Sequence, residues 1–247
     1  MKAEPAAQQA LLNLQEQDSA LAQLAHRRKT LPELAEIATV NERVRVLNAE
    51  RVEVDTRVSD LTRQQKKADA EVELVRARRD RDEERLNSGA ITNPKDLTSL
   101  QSELEALARR IGTLEDEELE VMEALEVAQS ELATVTASLT AENDIVAELT
   151  AKVEAASTTI NAEATDLKAV REQVLPKIPE DLLALYEKIR ANHAGLGAAA
   201  LQGMRCGGCH LDINGADLRE LKAEPADTVV RCPECSRILV RPEDAAS

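Results

Sequence analysis

The four cysteines of this 247-residue chain lie near its C-terminal end as two Cys-x-x-Cys pairs. The pairs are Cys206 with Cys209 and Cys232 with Cys235, separated by 22 residues. Each pair forms one turn that points both sulfurs inward, so four thiolates at this spacing suit tetrahedral coordination of a metal. Zn²⁺ is the expected ion, because a small module without aromatic residues needs another source of stability.

Other chemistries share this cysteine spacing. Two disulfides or a redox pair are disfavoured, because the chain is expected in the cytoplasm and has no thioredoxin-like βαβ context. A rubredoxin-like iron site has similar spacing, but such domains usually have an aromatic-rich core. Four cysteines also leave no position for a catalytic water, so we expect one structural Zn²⁺. His210 adjoins Cys209 and is expected to be exposed or locally hydrogen-bonded rather than a ligand.

Two long segments show the periodicity of a coiled coil. Apolar residues dominate positions at alternating steps of three and four from Ile37 to Leu86, and again from Leu97 to Val174. An unbroken repeat averaging 3.5 residues keeps one seam on one face of a helix and imposes a left-handed supercoil. The sequence therefore predicts a mainly α protein with a long coiled coil.

A turn over residues 87–96 connects the two segments. Gly89 can adopt the left-handed conformation that ends a helix. Asn93 can cap the next helix, with Pro94 at its first position. So short a connection makes the two helices antiparallel neighbours. The prediction is an antiparallel hairpin with its tip at this turn.

The register of the hairpin follows from the two patterns together. Folding the chain about Asn93 places every seam position of the first arm opposite a seam position of the second. In this register Arg57 approaches Glu131 and Arg85 approaches Glu103. Two patterns found independently thus agree on one hairpin.

The remaining segments divide the chain into three parts. Residues 1–175 are assigned to the hairpin, with a joint near residue 32 where Pro32 opens a new helix. Residues 176–203 are assigned to a connector, in which 180–193 form a helix with Tyr186 as a packing residue. Residues 204–247 are assigned to a small C-terminal β zinc ribbon with strands at 228–231 and 237–240.

At this point the sequence resembles the bacterial C4-type zinc-ribbon family with a long N-terminal coiled-coil hairpin. The resemblance rests on residues 92–97 and 99–105 at the tip, 185–190 in the connector and 232–239 in the ribbon. The family pattern usually has glycine where Ser236 stands, which changes no ligand. Some relatives are associated with flagellar gene control, through the nitrogen-type sigma factor or through RNA. The resemblance implies the fold and the metal site, whereas these residues do not identify a partner.

Composition narrows the classes of partner. The net charge is −15, and the chain has one tyrosine and no tryptophan or phenylalanine. Such a charge disfavours indiscriminate attraction to nucleic acid or to anionic membranes. No secretory signal and no bilayer-spanning stretch is recognisable, so we expect a cytoplasmic protein without a membrane partner.

The leading functional hypothesis is a non-enzymatic adaptor that binds a protein partner and takes no small-molecule substrate. No catalytic residues are assigned, because the three histidines are scattered and no phosphate loop or nucleophile elbow occurs. The partner is expected at the hairpin tip, through Ile91, Asn93, Pro94 and Lys95. The biological process that we consider for this adaptor is transcription or its regulation. The alternative is a protein that binds RNA or DNA through the ribbon, although residues 204–247 hold six bases and eight acids.

Overall fold

The computed structural model describes residues 1–242, which form two compact units. One unit consists of Met1–Leu34 and the chain from Thr150 onward, and the other of Ala35–Leu149. Within residues 1–242, no helix is both long and apolar enough to cross a membrane. The helices are α1 (Pro5–Lys29), α2 (Pro32–Asn87), α3 (Pro94–Val174), α4 (Glu180–Asn192) and α5 (Gly215–Ala223), and the strands are β1 (Ala198–Gln202), β2 (Arg205–Cys206), β3 (Val230–Arg231) and β4 (Ile238–Val240).

In the unit Ala35–Leu149, α2 and α3 run antiparallel along an apolar seam. Every buried apolar residue of this unit lies at a position of the predicted series with steps of three and four. Burial of one stripe on each helix is the packing that a heptad repeat specifies. The predicted coiled-coil hairpin is therefore confirmed. These residues are Val40, Val54, Val72, Leu100, Ile111, Leu114, Leu125, Ala128, Val135 and Leu149.

Ion pairs between the two arms report their register. Arg57 contacts Glu131, as the sequence predicts. Glu103 forms an ion pair with Arg78, and it lines one cavity with Arg85, the residue predicted to approach it. Arg85 lies in the last turn of α2, where it lines a cavity beneath the tip loop. Exposed pairs of this kind are each worth about 0–1 kcal/mol, so the apolar seam sets the register and the charges follow it.

The turn between the arms has the predicted local structure. Gly89 follows the end of α2 with φ of 71°, in the left-handed region that glycine adopts without steric cost. The side-chain Oδ1 of Asn93 accepts a hydrogen bond from the backbone N–H of Lys95 at 3.1 Å. Helix α3 then begins at Pro94. Gly89, Asn93 and Pro94 thus each have a backbone reason for their identity.

In the other unit, α1 packs with α4 and the β-sheet around one core. Tyr186 is fully buried in this core, with Leu11 and Leu14 of α1, Leu182 of α4 and Ile238 of β4. Helix α1 ends at Lys29 and α2 begins at Pro32, near the predicted joint. The N-terminal helix therefore belongs to the unit that contains the ribbon.

The sheet has the order β2-β1-β4-β3, with β1 parallel to β4 and the other neighbours antiparallel. Strands β3 and β4 fall in the two predicted strand segments. Strand β1 begins at Ala198, inside residues 176–203 that the sequence assigns to a connector. A run of three alanines has weak intrinsic strand preference, so only its pairing with β4 reveals this strand.

Candidate metal centre

Two loops of the sheet bring the four cysteines together. Cys206 ends β2, Cys232 follows β3, and Cys209 and Cys235 each lie three residues further along the chain. The four sulfur atoms all lie within 4.8 Å of one another. The Sγ atoms of Cys206 and Cys235 are 3.9 Å apart, as are those of Cys209 and Cys232. The structure thus joins the two sequence-distant pairs in one cluster.

The two cysteine loops, here called knuckles, share one backbone pattern. In the first, the N–H of His210 donates to the carbonyl of Cys206 at 2.9 Å. In the second, the N–H of Ser236 donates to the carbonyl of Cys232 at 2.8 Å. Both donors are residues with φ of 59°, which reverses the chain directly after the second cysteine. This reversal lets both sulfurs of a pair point to the same side.

The sulfur geometry fits one tetrahedral Zn²⁺. With Zn–S bonds of about 2.3 Å, tetrahedral geometry puts sulfurs about 3.8 Å apart. The Cys206–Cys235 and Cys209–Cys232 sulfur separations are 3.9 Å, far beyond the roughly 2.05 Å of a disulfide bond. All four cysteines are free of disulfides, and His210 is exposed. The cluster is a structural zinc site, with four thiolates that saturate the ion.

Burial and hydrogen bonds shift the pKa values of Cys206, Cys232 and Cys235 when no metal is bound. Burial raises the pKa of the Cys206 thiol and raises the pKa of Cys232 to about 12. Burial also raises the pKa of Cys235, but hydrogen bonds from Arg237 and the neighbouring cysteines outweigh it and bring the pKa to about 7. Zinc is held by thiolates, so binding must displace protons from the buried sulfurs.

The glycines of the first knuckle allow its close approach to the sheet. A Cβ atom added at Gly208 would lie 2.9 Å from Cδ of Arg237 and 3.1 Å from Cβ of Ala199. One added at Gly207 would lie 3.0 Å from the carbonyl oxygen of Ala200. The first knuckle therefore needs small residues between its cysteines, whereas the second has proline and glutamate there.

Helix α1 holds the start of β1, the strand that pairs with β2 and β4. Oε1 of Gln15 accepts hydrogen bonds from the backbone N–H groups of Gly197 and Ala198, at 2.6 and 3.2 Å. Nε2 of the same side chain donates to the carbonyl of Gly195 at 3.0 Å. Sequence reasoning missed this residue. The available signal was a glutamine on the apolar face of α1, four residues after the buried Leu11.

A buried carboxylate joins α1 to α3 and α4 in the same unit. Asp18 accepts a hydrogen bond from the hydroxyl of Tyr186 at 2.7 Å and one from Nε of Arg171 at 2.8 Å. Burial and the adjacent carboxylate both raise the pKa of Tyr186, since each disfavours a phenolate. Tyr186 is thus a packing residue, as predicted, with its polar end satisfied by α1.

The predicted tip residues lie together in the unit Ala35–Leu149, whereas the cysteines lie in the other unit. Lys95 is exposed, and Asn93 and Pro94 form the start of α3. Ile91 is half-buried. It lines a shallow cavity of about 390 Å³ together with Leu100 and polar residues of both arms. The predicted tip residues Ile91 and Asn93 thus line one cavity.

This combination defines a class of protein in which an antiparallel coiled-coil hairpin accompanies a C4 zinc ribbon. Residues 14–194 match the model of the CT398-like coiled coil hairpin domain. Residues 205–239 match the model of the C4-type zinc ribbon domain. The chain belongs to the CT398-like hairpin family, and the resemblance inferred from its motifs is confirmed.

Relatives cover nearly the whole chain. An uncharacterised protein of Mycobacterium tuberculosis is 37% identical over 98% of both chains. An uncharacterised protein of Mycobacterium leprae is 31% identical over 90% of this chain and 94% of its own. A solved structure from Mycobacterium smegmatis has a TM-score of 0.87 at 35% identity, covering 98% of this chain and 100% of the other.

A more distant solved structure supports the fold alone. CT398 from Chlamydia trachomatis has a TM-score of 0.69 at 20% identity, covering 96% of this chain and 98% of the other. The same combination of helices and ribbon is therefore formed by sequences that differ at most positions.

Proposed function

We propose that this protein is a non-enzymatic adaptor that binds a protein partner through its hairpin tip. The observation that carries the proposal is the composition of the tip surface. Gly89, Asn93 and Pro94 account for the reversal of the chain, whereas the exposed Lys95 takes no part in it through its side chain. Ile91, four residues earlier in the chain, lines a cavity with Asn93 and Asp96, so the tip contains both an apolar and a cationic side chain.

The chemistry of the metal centre supports a role without catalysis. Four thiolates fill the tetrahedral positions of zinc and leave none for a water or a substrate. Within residues 1–242, the cysteine cluster is the one group of three or more histidine, cysteine or acidic side chains placed to hold a metal ion. The ribbon then acts as a folded module rather than as a reaction centre.

The ribbon arginines do not favour the alternative of nucleic-acid binding. Arg237 donates to the carbonyls of Leu196 and His193, and Arg241 donates to several carbonyls between residues 221 and 228. The other three also donate to groups of this protein, as Arg205 to Asp212, Arg219 to Gly215 and Arg231 to Ser236. Guanidinium groups that donate within the fold have fewer donors left for phosphates, and acids outnumber bases in residues 204–247.

Site-specific crosslinking tests the tip. A benzophenone amino acid placed at Lys95 should form a discrete adduct with one protein in the native cell. The matched control is the same substitution at Ala137, an exposed position on α3 in the same unit. The identity of the crosslinked protein also tests whether this adaptor acts in transcription or its regulation.

A binding assay with the captured protein then distinguishes specific recognition of the tip from simple proximity to it. Purified partner should bind the double variant Ile91→Ser/Lys95→Ser about tenfold more weakly or worse, while zinc content and helicity stay unchanged. Equal adducts from positions 95 and 137, or unchanged binding by the double variant, would show that the tip is only a turn.

A further inference from the structure

We propose that a cavity lined by α1, the end of α3 and α4 binds a small, doubly charged oxyanion such as inorganic phosphate. We call this space the junction cavity. It lies in the unit that contains the ribbon, so the site extends beyond the adaptor function proposed for the tip. Its volume is about 380 Å³, and it is lined by Asp18, Leu21, Lys168, Arg171, Glu172 and Arg190.

The lining residues of each helix are neighbours on one helix face. On α3, Lys168 precedes Arg171 and Glu172 by three and four positions, and on α1, Asp18 precedes Leu21 by three. Residues at these spacings lie next to each other on the surface of a helix. The junction cavity is therefore lined by contiguous side chains, and most of them are charged.

The buried carboxylate of the cavity already has its hydrogen-bond donors. The Asp18 side chain is 2% exposed and accepts from the hydroxyl of Tyr186 and from Nε of Arg171. Nε of Arg190 lies 3.4 Å from Oδ2 of Asp18, but this buried nitrogen forms no hydrogen bond. A buried carboxylate needs one well-placed cation, so the second guanidinium exceeds what Asp18 requires.

Both guanidinium groups keep donors that the fold does not use. Nη2 of Arg171 and Nη1 of Arg190 each lie 3.1 Å from a carboxylate oxygen of Glu187, which is not part of the cavity lining. Nη1 of Arg171 and Nη2 of Arg190 form no hydrogen bond within residues 1–242. Guanidinium N–H groups bind phosphate oxygens through charge-assisted hydrogen bonds, and these two nitrogens have the donors for it.

Lys168 adds a third cation to the lining. Its side chain is exposed and forms no ion pair with any residue that the structure describes, and the same holds for Glu172. The lining thus has three cations and two carboxylates, and one of these carboxylates is held by Tyr186 and Arg171. This local excess of cations stands out in a chain with a net charge of −15.

Size and charge favour a small anion over a polyanion. The exposed Glu172 and the negative charge of the whole chain repel an extended nucleic acid, whose phosphates would pass over both. A water occupies about 30 Å³, so a cavity of about 380 Å³ has room for one phosphate with a few waters. Two negative charges match the excess of cations better than one.

Tyr186 provides a local reporter for the test. It is the only tyrosine, the chain has no tryptophan, and its hydroxyl is bonded to Asp18 of the cavity. Titration of the full-length, zinc-loaded protein with inorganic phosphate should change the tyrosine fluorescence in a saturable way, with a dissociation constant of about 1 mM or below. Sodium chloride at the same ionic strength is the control and should give no saturable change.

Two single substitutions at the cavity should act in opposite directions. Lys168→Gln should weaken phosphate binding about fivefold, and Glu172→Gln should tighten it about twofold, because each removes one exposed charge. The matched controls are Lys188→Gln and Glu163→Gln, at exposed positions of the same unit outside the lining. They should change the dissociation constant less than about 1.5-fold.

Arg190→Gln tests the guanidinium itself. It should weaken phosphate binding at least about tenfold, since charge-assisted hydrogen bonds are lost. Helicity and zinc content show whether this variant keeps its fold. Lys168→Gln keeps the proposal testable in either case, because Lys168 takes no part in the contacts of Asp18.

Nuclear magnetic resonance of the unaltered protein locates the site without any variant. Phosphate should shift the backbone amide signals of residues 18–21, 168–172 and 186–190, and leave those of the tip unchanged. Absence of saturable binding, equal effects of chloride, equal losses in Lys168→Gln and Lys188→Gln, or shifts confined to other residues would overturn the proposal. The tip variant Ile91→Ser/Lys95→Ser should bind phosphate normally, so the two proposals fail separately.

Discussion

His210 and Ser236 occupy equivalent positions in the two knuckles, and both have φ of 59°. Each follows the second cysteine of its pair and donates its N–H to the carbonyl of the first. A residue with a Cβ atom is disfavoured in this left-handed conformation by roughly 1–2 kcal/mol. The glycine that the family pattern usually has at the second position is thus explained by the backbone and not by the metal.

Ser236→Gly should therefore strengthen the ribbon. Relief of the left-handed strain, less the entropy that glycine loses on folding, predicts a gain of about 0.5–1 kcal/mol. Transfer of zinc to a chromogenic chelator should slow by roughly two- to fivefold, because release requires opening of the knuckle. Ser99→Gly, at an exposed position of α3, should leave the transfer rate unchanged. Faster transfer from Ser236→Gly would contradict this account.

Elemental analysis should find one zinc per chain, and Cys232→Ser should abolish it. Loss of one thiolate breaks the tetrahedral set and removes the binding free energy that stabilises the ribbon. Far-UV helicity should fall little, since α2 and α3 have their own apolar seam. His210→Ala is the matched control and should retain the zinc. Full zinc content in Cys232→Ser would mean that another group serves as the fourth ligand.

Tyr186→Phe should lower the free energy of unfolding by about 1–2 kcal/mol at neutral pH, because it removes the hydrogen bond to Asp18. Denaturant unfolding followed by circular dichroism measures this loss. Gln15 and Arg171 still tie α1 to its neighbours in the variant, so the fold should persist. An unchanged free energy of unfolding would show that the buried hydroxyl contributes nothing.

The same tyrosine predicts an alkaline limit of stability. Folding raises the pKa of Tyr186 above the ordinary value of about 10. The contribution of Tyr186 to the free energy of unfolding is therefore complete below pH 10 and declines as the pH rises further. Tyr186→Phe should lack this decline. Absorbance at 295 nm follows the ionisation directly, since Tyr186 is the only tyrosine and the chain has no tryptophan. An equal loss of stability at alkaline pH in the unaltered protein and in Tyr186→Phe would contradict the prediction.

Gly197→Ala should destabilise the unit that contains the ribbon. The added Cβ would lie 2.6 Å from Cδ2 of Tyr186 and 2.7 Å from its carbonyl oxygen, where neither group has room to move. Overpacking of this kind costs about 1–3 kcal/mol. In Gly112→Ala the added Cβ meets nothing within 4 Å. Thermal unfolding should show that the free energy of unfolding rises by up to about 1 kcal/mol, because alanine has the higher helix propensity. Equal melting temperatures for the two variants would contradict the packing argument.

Local sequence patterns were sufficient to predict those parts of the structure that depend on residues close together in the chain. The hairpin seam repeats every 3.5 residues, the turn needs Gly89, Asn93 and Pro94, and each knuckle needs two cysteines three positions apart. Helix α5 was also within reach, because Oδ1 of Asn214 caps it by accepting from the N–H groups of Ala216 and Asp217. That signal was overlooked beside the stronger cysteine pattern.

Local sequence patterns specify the coiled-coil hairpin, its register and the four zinc ligands, because heptads, turn residues and Cys-x-x-Cys pairs act over a few positions. Three further features are seen only in the folded chain: α1 packs beside the ribbon, Gln15 holds the start of β1, and Lys2 bridges to Thr228 at the sheet edge. These contacts join residues about 180 or more positions apart. No local pattern specifies such a pairing, since its free energy comes from burial and hydrogen bonding that exist only after the chain has folded.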